Sequence, residues 1–280
     1  MLVQLATIAG RDDRPNEDFP AALPDCAVLL DGAGGPAEMP TGCVHGTDWY
    51  VRQLGVRLLA GMGGRPERSL TSLLGAGITE VNALHAASCD LTAPGTPSTT
   101  VVMARLHPDG IEYLVLGDST LLIDRAGREP AVITDQRIER VAVDEQAAMN
   151  ALPTGTPEHF AARVAYVGRQ RELRNQPDGY WITSTDPAAA AQACTGIEDG
   201  AGLRSVTLLS DGATRFVEFG LGSWPTLLAL LGTEGINAVF DRIRAAEASD
   251  PGGARWPRAK QHDDAAIVHF SSPQRARRTD

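Results

Sequence analysis

Residues 99–119 read TTVVMARLHPDGIEYLVLGDS. Two apolar, β-branched runs, 99–106 and 111–117, flank His107-Pro108-Asp109-Gly110. Pro-Asp-Gly is turn chemistry: proline presets its own φ, and Asp and Gly tolerate the positive φ that tight turns need. The segment therefore reads as an antiparallel hairpin. Gly117-Asp118-Ser119 reads as a second turn, continuing the hairpin into a strand at 120–124. Strands joined by tight turns need no crossover helices, so this stretch points to antiparallel sheets with helices grouped elsewhere, not to a doubly wound parallel sheet.

Outward from it, Val, Ile, Leu and Thr enrichment bounded by Gly, Asp or Pro predicts strands at 3–9, 27–30, 179–184, 205–209 and 265–270. Helices are predicted at 47–62, 69–88, 135–149, 187–194, 224–231 and 233–249. In 69–88, Leu70, Leu73, Leu74, Ile78 and Val81 fall on one helical face. Residues 130–176 are the least regular and are expected to hold a flap or lid. Residues 1–270 read as a single domain, and 271–280, SSPQRARRTD, as a solvated tail.

The chain has 280 residues, 43% hydrophobic and 21% charged, which excludes a wholly disordered protein. Lys+Arg is 25 against Asp+Glu 35, a net charge of -10. That charge repels phosphate backbones and anionic lipid, so neither nucleic acid nor membrane is an expected partner. No apolar run is long enough to span a bilayer, and the N-terminus lacks a signal-peptide pattern, so a cytoplasmic protein is expected. Cys26, Cys43, Cys89 and Cys194 form no CxxC pair, so reduced thiols are expected, not a disulfide framework or zinc site. Cys43 reads as inert and His45 as a surface or capping residue. Trp49, Trp181, Trp224 and Trp256 read as packing residues.

The informative feature is where the acids stand. Asp31-Gly32 ends one apolar run, Asp118-Ser119 another and Asp211-Gly212 a third. Asp263-Asp264 opens a fourth, and Glu17 and Asp18 follow the first strand. Asp-Gly alone is ordinary turn chemistry. Carboxylates at five strand ends converging on one edge would instead repel one another and raise one another's pKa, so to stay ionised they need cations. Carboxylate, carbonyl and water are hard ligands suited to Mg²⁺ or Mn²⁺.

In order along the chain, NED at 16–18, DGAGG at 31–35, STT at 98–100, LGDS at 116–119, LSDG at 209–212 and DDAAIV at 263–268 resemble the motifs of the metal-dependent Ser/Thr protein phosphatases, the PPM or type 2C family. The resemblance covers nearly the whole chain. It implies an α+β fold of two face-to-face antiparallel sheets flanked by helices, a four-layer αββα sandwich. It also implies two Mn²⁺ or Mg²⁺ ions at one end. Position by position, Asp31 would bridge the ions and the Gly32 carbonyl would bind one of them. Glu17 would ligate that same ion, with Asp18 beside it. Asp211 and Asp263 would hold the other ion, with Asp264 ranked below Asp263. Asp118 would face a weaker third site. A bridging water would attack phosphorus in line.

Three positions depart from the family pattern. Ala33 replaces a frequent His to which the resemblance would assign protonation of the leaving oxygen, Thr120 replaces an Arg, and Arg215 replaces an acid, which puts the third ion in doubt. Arg14, preferred over Arg11, would bind phosphate through its planar fork, with Arg215 an outside candidate. His262, next to Asp263, reads as a structural residue. The expected function is a Mn/Mg-dependent phosphomonoester hydrolase acting on phosphoserine or phosphothreonine proteins, with Asp31, Asp211 and Arg14 in catalytic roles. The alternatives are a pseudophosphatase that binds phosphoproteins without turnover and a phosphatase for a small phosphomonoester.

Overall fold

One sheet of the sandwich runs in the order Leu2–Ile8 (β1), Ala265–Ser271 (β10), Leu203–Leu209 (β9), Thr120–Arg125 (β6), Ala131–Ile133 (β7). The other runs Asp18–Leu23 (β2), Cys26–Gly32 (β3), Thr99–His107 (β4), Gly110–Leu116 (β5), Cys194–Asp199 (β8). All the pairings are antiparallel. This is a computed structural model, and it describes residues 1–271. The expected tail lies outside the described residues apart from Ser271, which belongs to β10, paired with Leu2 and Ser205.

β3 shows why the strands read as unbroken apolar runs. Ala27 and Leu29 face the opposite sheet, where they meet Leu121, Val206, Leu208 and Val268. Val28 and Leu30 face outward into helices Thr47–Gly64 (α1) and Leu70–His85 (α2). Both faces are buried, so hydrophobic and polar residues do not alternate. On the far side, helices Asp211–Glu218 (α5), Trp224–Thr233 (α6) and Ile236–Ser249 (α7) cover Leu122, Leu209, Ala265 and Ile267. The result is the expected four-layer αββα sandwich. Trp49 and Trp181 pack against the α1–α2 core and Trp224 against the α5–α7 core, while Trp256 stacks on Phe219 with ring centroids 4.8 Å apart.

The hairpin at 107–110 forms as expected, with His107 opposite Gly110. The turn at 117–119 does not make a second one. β5 and β6 lie in different sheets, and the chain crosses between them. Gly117 makes the crossing: its φ is 87°, and a Cβ there would stand 2.9 Å from the Thr100 Cβ.

Other expectations also change. Residues 179–184 form no strand, only isolated bridges at Tyr180 and Thr183, and the Ile182 N–H donates to the Asn175 Oδ1 at 2.9 Å. The helix expected at 135–149 is broken by Ala142, whose φ of 55° is left-handed. It becomes a 3-10 helix, Gln136–Arg140, followed by Val143–Asn150 (α3). Residues 187–194 hold a 3-10 helix, Pro187–Gln192, and Cys194 already opens β8. The irregular stretch 130–176 is largely helical, with α3 packed on Pro157–Leu173 (α4) beside the acidic strand ends. Among the described residues no helix is long and apolar enough to cross a membrane.

Candidate functional site

The register brings the acids to one end of the sandwich. Asp18 opens β2 directly opposite Asp31 at the end of β3, and Asp31 is opposite Thr100 at the start of β4. In the other sheet Leu209, one residue before Ser210-Asp211, pairs with Thr120 and Ile267. Asp118 and Asp263 therefore precede their strands at the same edge as Asp211. The two sheets touch there: the Asp211 N–H donates to the Asp31 Oδ2 at 3.2 Å.

Burial and mutual repulsion set the electrostatics. Burial pushes the Asp31 carboxyl well above the usual carboxylate range, and the charges of Asp211 and Asp18 push it further. Burial raises Asp18 too, and Asp211 raises it further against a partial opposing pull from the Ser210 side chain. Asp211 is raised by burial and by Asp263. Asp118 is pushed up to about 7 by burial and Asp211, and Glu17 to about 7, chiefly by burial. Both carboxylate oxygens of Asp18 are buried without a hydrogen-bond partner. An orphaned carboxylate beside two others is unfavourable unless a cation joins them. This donor set of carboxylates with the nearby Gly32 carbonyl fits hard divalent ions.

Asp263 differs from its neighbours. Burial opposes its charge, but Lys260 and Arg215 hold it below the usual carboxylate range. The Lys260 Nζ stands 2.6 Å from one of its oxygens and an Arg215 guanidinium nitrogen 3.1 Å from the other. Arg215 extends the network to the fully buried Glu247 at 2.5 Å, which also pairs with Arg244 at 2.7 Å and the His262 Nδ1 at 2.7 Å. Arg215 is thus occupied by acids, and His262 has the structural place the sequence suggested. Asp264 is a brace: its two oxygens accept the N–H groups of Gly10 and Glu17, each at 2.8 Å.

Two adjoining cavities open onto this end. One, of about 360 Å³, is lined by Asp31, Asp118 and Asp211 and roofed by α4 residues including Tyr166 and Arg171. The other, of about 400 Å³, holds Arg14, Glu17, His159 and His262. Arg163 on α4, Lys260 and Asp263 border both. Arg11 also lines the second cavity, but its fork is closed on Asp13 at 2.8 and 2.6 Å. Arg14 is exposed there and has no ion pair among the described residues. The Glu17 carboxylate packs against Gly34, where a Cβ would make it shift. Ala33 is exposed at the rim, its N–H donating to the Ser98 carbonyl at 2.9 Å, and Thr120 is a buried ladder residue.

The sequence reading missed Arg163 and Lys260. The uniqueness of Lys260 as the chain's one lysine, three residues before Asp263, was an available signal. It also missed a second cluster. Cys43, expected to be inert, and His45, expected at the surface, meet His85 and Cys89. The spacing Cys-x-His followed by His-x3-Cys was the signal, and a search restricted to CxxC pairs passes over it.

No protein-family model matches this sequence, and no curated protein is similar to it. Solved structures are. The PPM Ser/Thr phosphatase MsPP from Mycobacterium smegmatis, in complex with cacodylate, superposes with a TM-score of 0.56 at 17% identity, over 97% of this chain and 98% of that one. The Ser/Thr phosphatase Stp1 from Staphylococcus aureus gives 0.57 at 16%, over 96% and 94%. The catalytic domain of the Ser/Thr phosphatase PstP, in complex with two manganese ions, gives 0.55 at 18%, over 96% of both chains. The fold of this chain is that of the PPM Ser/Thr phosphatases.

Proposed function

We propose that the chain is a Mn²⁺- or Mg²⁺-dependent phosphomonoester hydrolase that dephosphorylates phosphoserine and phosphothreonine proteins. The observation that carries this reading is the meeting of Asp18, Asp31 and Asp211 at the sheet ends, with the Asp18 oxygens buried and unpaired. A neighbour of the same fold holds two manganese ions. Here Asp31, Asp18, Asp211, Glu17 and the Gly32 carbonyl would hold the ions, with Asp118 at the margin. When bound, the ions would supply Lewis-acid charge and acidify a water. Asp263 would join as a ligand once Lys260 turns away from it.

The chain's own groups do the rest. Arg14 at the open cavity receives the phosphate oxygens, and Arg163 and Lys260 add positive charge between the two cavities. The α4 roof limits water at the carboxylates. Ala33 offers no proton, so a solvent water protonates the leaving oxygen. Reduced thiols suit a cytoplasmic setting, and the net charge of -10 disfavours nucleic acid and membrane as partners.

The rival reading is a phosphoprotein-binding module without turnover, and the pairing of Asp263 with Lys260 and Arg215 favours it. Phosphate release from a phosphoserine peptide and from a small sugar phosphate, each with Mn²⁺, tests the proposal. Peptide turnover with the higher kcat/KM supports it. Faster sugar-phosphate turnover would make this a small-molecule phosphatase, and peptide binding without release would favour the binding module.

A further inference from the structure

Four residues outside the carboxylate cluster come together around one point. Cys43 and His45 lie in the loop between the Asp31-Gly32 strand end and α1. His85 is the last residue of α2, and Cys89 follows four residues later. Their ligand atoms all lie within 4.8 Å of one another. The Cys43 Sγ is 3.7 Å from the His45 Nδ1 and 3.5 Å from the His85 Nδ1. The Cys89 Sγ is 3.4 Å from the His45 Nδ1 and 3.1 Å from the Cys43 Sγ.

These lengths are the edges of a small tetrahedron. With Zn–S near 2.3 Å and Zn–N near 2.0 Å, a tetrahedral site has sulfur–nitrogen edges of about 3.5 Å and a sulfur–sulfur edge of about 3.8 Å. Three of the four sulfur–nitrogen edges match, the Cys89–His85 and His45–His85 edges lie within 4.8 Å, and the sulfurs need to part by a fraction of an ångström. At 3.1 Å they are not bonded to each other, and both cysteines are free.

The surroundings hold the ligands in place. Trp49 stacks on the His45 ring with centroids 4.3 Å apart and lies 5.1 Å from His85. The His85 ring is buried at 1% exposure, its Nε2 has no partner, and its Nδ1 faces the thiols. The Asp90 N–H donates to the Gly42 carbonyl at 2.8 Å and ties the loop to the end of α2.

We propose that Cys43, His45, His85 and Cys89 form a tetrahedral zinc site. Two thiolates and two imidazoles are borderline-soft donors that select zinc over the hard ions of the carboxylate end. Four protein ligands leave no open position, so the site is structural. It fastens the 33–46 loop to α2, and Thr41 and Thr47, which flank the two loop ligands, line the cavity over Asp31. The site is independent of the phosphatase reading.

The test is metal analysis of the full chain purified without chelator, followed by cobalt(II) titration of the zinc-stripped protein. The expected result is one tightly held zinc per chain. Cobalt should give the intense visible bands and the sulfur charge-transfer band of a tetrahedral thiolate site, whereas carboxylate-bound cobalt gives only weak octahedral bands. Cys43→Ser and Cys89→Ser, each leaving one thiolate, should cut the charge-transfer intensity by about half or more, and Cys194→Ser should keep it. The wild-type spectrum alone decides the matter should the Cys43 or Cys89 variants fold poorly. Absence of both retained zinc and tetrahedral bands would overturn the proposal. So would a Cys43–Cys89 disulfide found by mass spectrometry of protein prepared under reducing conditions.

Discussion

Asp31 and Asp18 face each other because β2 and β3 pair in that register, and a one-residue slip would turn both side chains to the other face. Among the described residues neither acid has an ion pair, whereas Asp263 has two. Asp211→Asn, which removes one charge and keeps the volume, should lower kcat at least ~100-fold while leaving the fold intact. A steady-state assay beside circular dichroism checks this. Arg14→Ala should raise KM for an aryl phosphate roughly 10-fold with a smaller change in kcat, the cost of one charge-assisted contact. An unchanged KM would move phosphate binding to Arg163 or Lys260. Ala33→His should speed alkyl phosphates more than p-nitrophenyl phosphate, since nitrophenolate leaves without a proton. Equal acceleration of both would argue against a leaving-group role at that position.

At the scale of elements, α7 and β10 carry two charge arrangements whose removal should be measurable. Glu247 on α7 is fully buried among Arg215, Arg244 and His262, so Glu247→Ala leaves cations uncompensated and should cost about 3–5 kcal/mol in urea unfolding. His269 on β10 pairs across to the Thr207 hydroxyl at 2.8 Å, and burial lowers its pKa to about 4. Between about pH 6.5 and 4 the unfolded chain binds a proton that the folded chain refuses. Stability therefore falls as pH drops through that window, by at most about 1.4 kcal/mol per pH unit from this group. His269→Gln should flatten the pH dependence of the urea midpoint there, and an unchanged slope would show that other groups control it. Elements with strong apolar patterns were legible in the sequence: β3, β4, β5, β9, β10, α1 and α2. The polar α4 was not, because it lines a cavity of polar and charged groups and has no broad apolar stripe. β2 was hidden by Pro20, which an edge strand tolerates. α5 was hidden because Asp211-Gly212 reads equally as a turn.

At the scale of the whole molecule, the antiparallel ladders bring segments hundreds of residues apart to one end, where Glu17 makes no ion pair among the described residues and Asp264 reaches back to brace its backbone. The carboxylates of this end were visible in the sequence as acids closing or opening apolar runs. The partners of Asp263 and the Cys/His cluster were not, because they depend on side chains meeting across loops and helices. The central claim is that this end is a metal centre that hydrolyses phosphomonoesters. The direct measurement is p-nitrophenyl phosphate hydrolysis by the purified chain with Mn²⁺ and after EDTA, beside Asp31→Asn. The expected result is turnover that needs Mn²⁺, vanishes with EDTA and is lost in the variant. Turnover that survives EDTA or the loss of Asp31, or no turnover by folded protein with Mn²⁺, would contradict it.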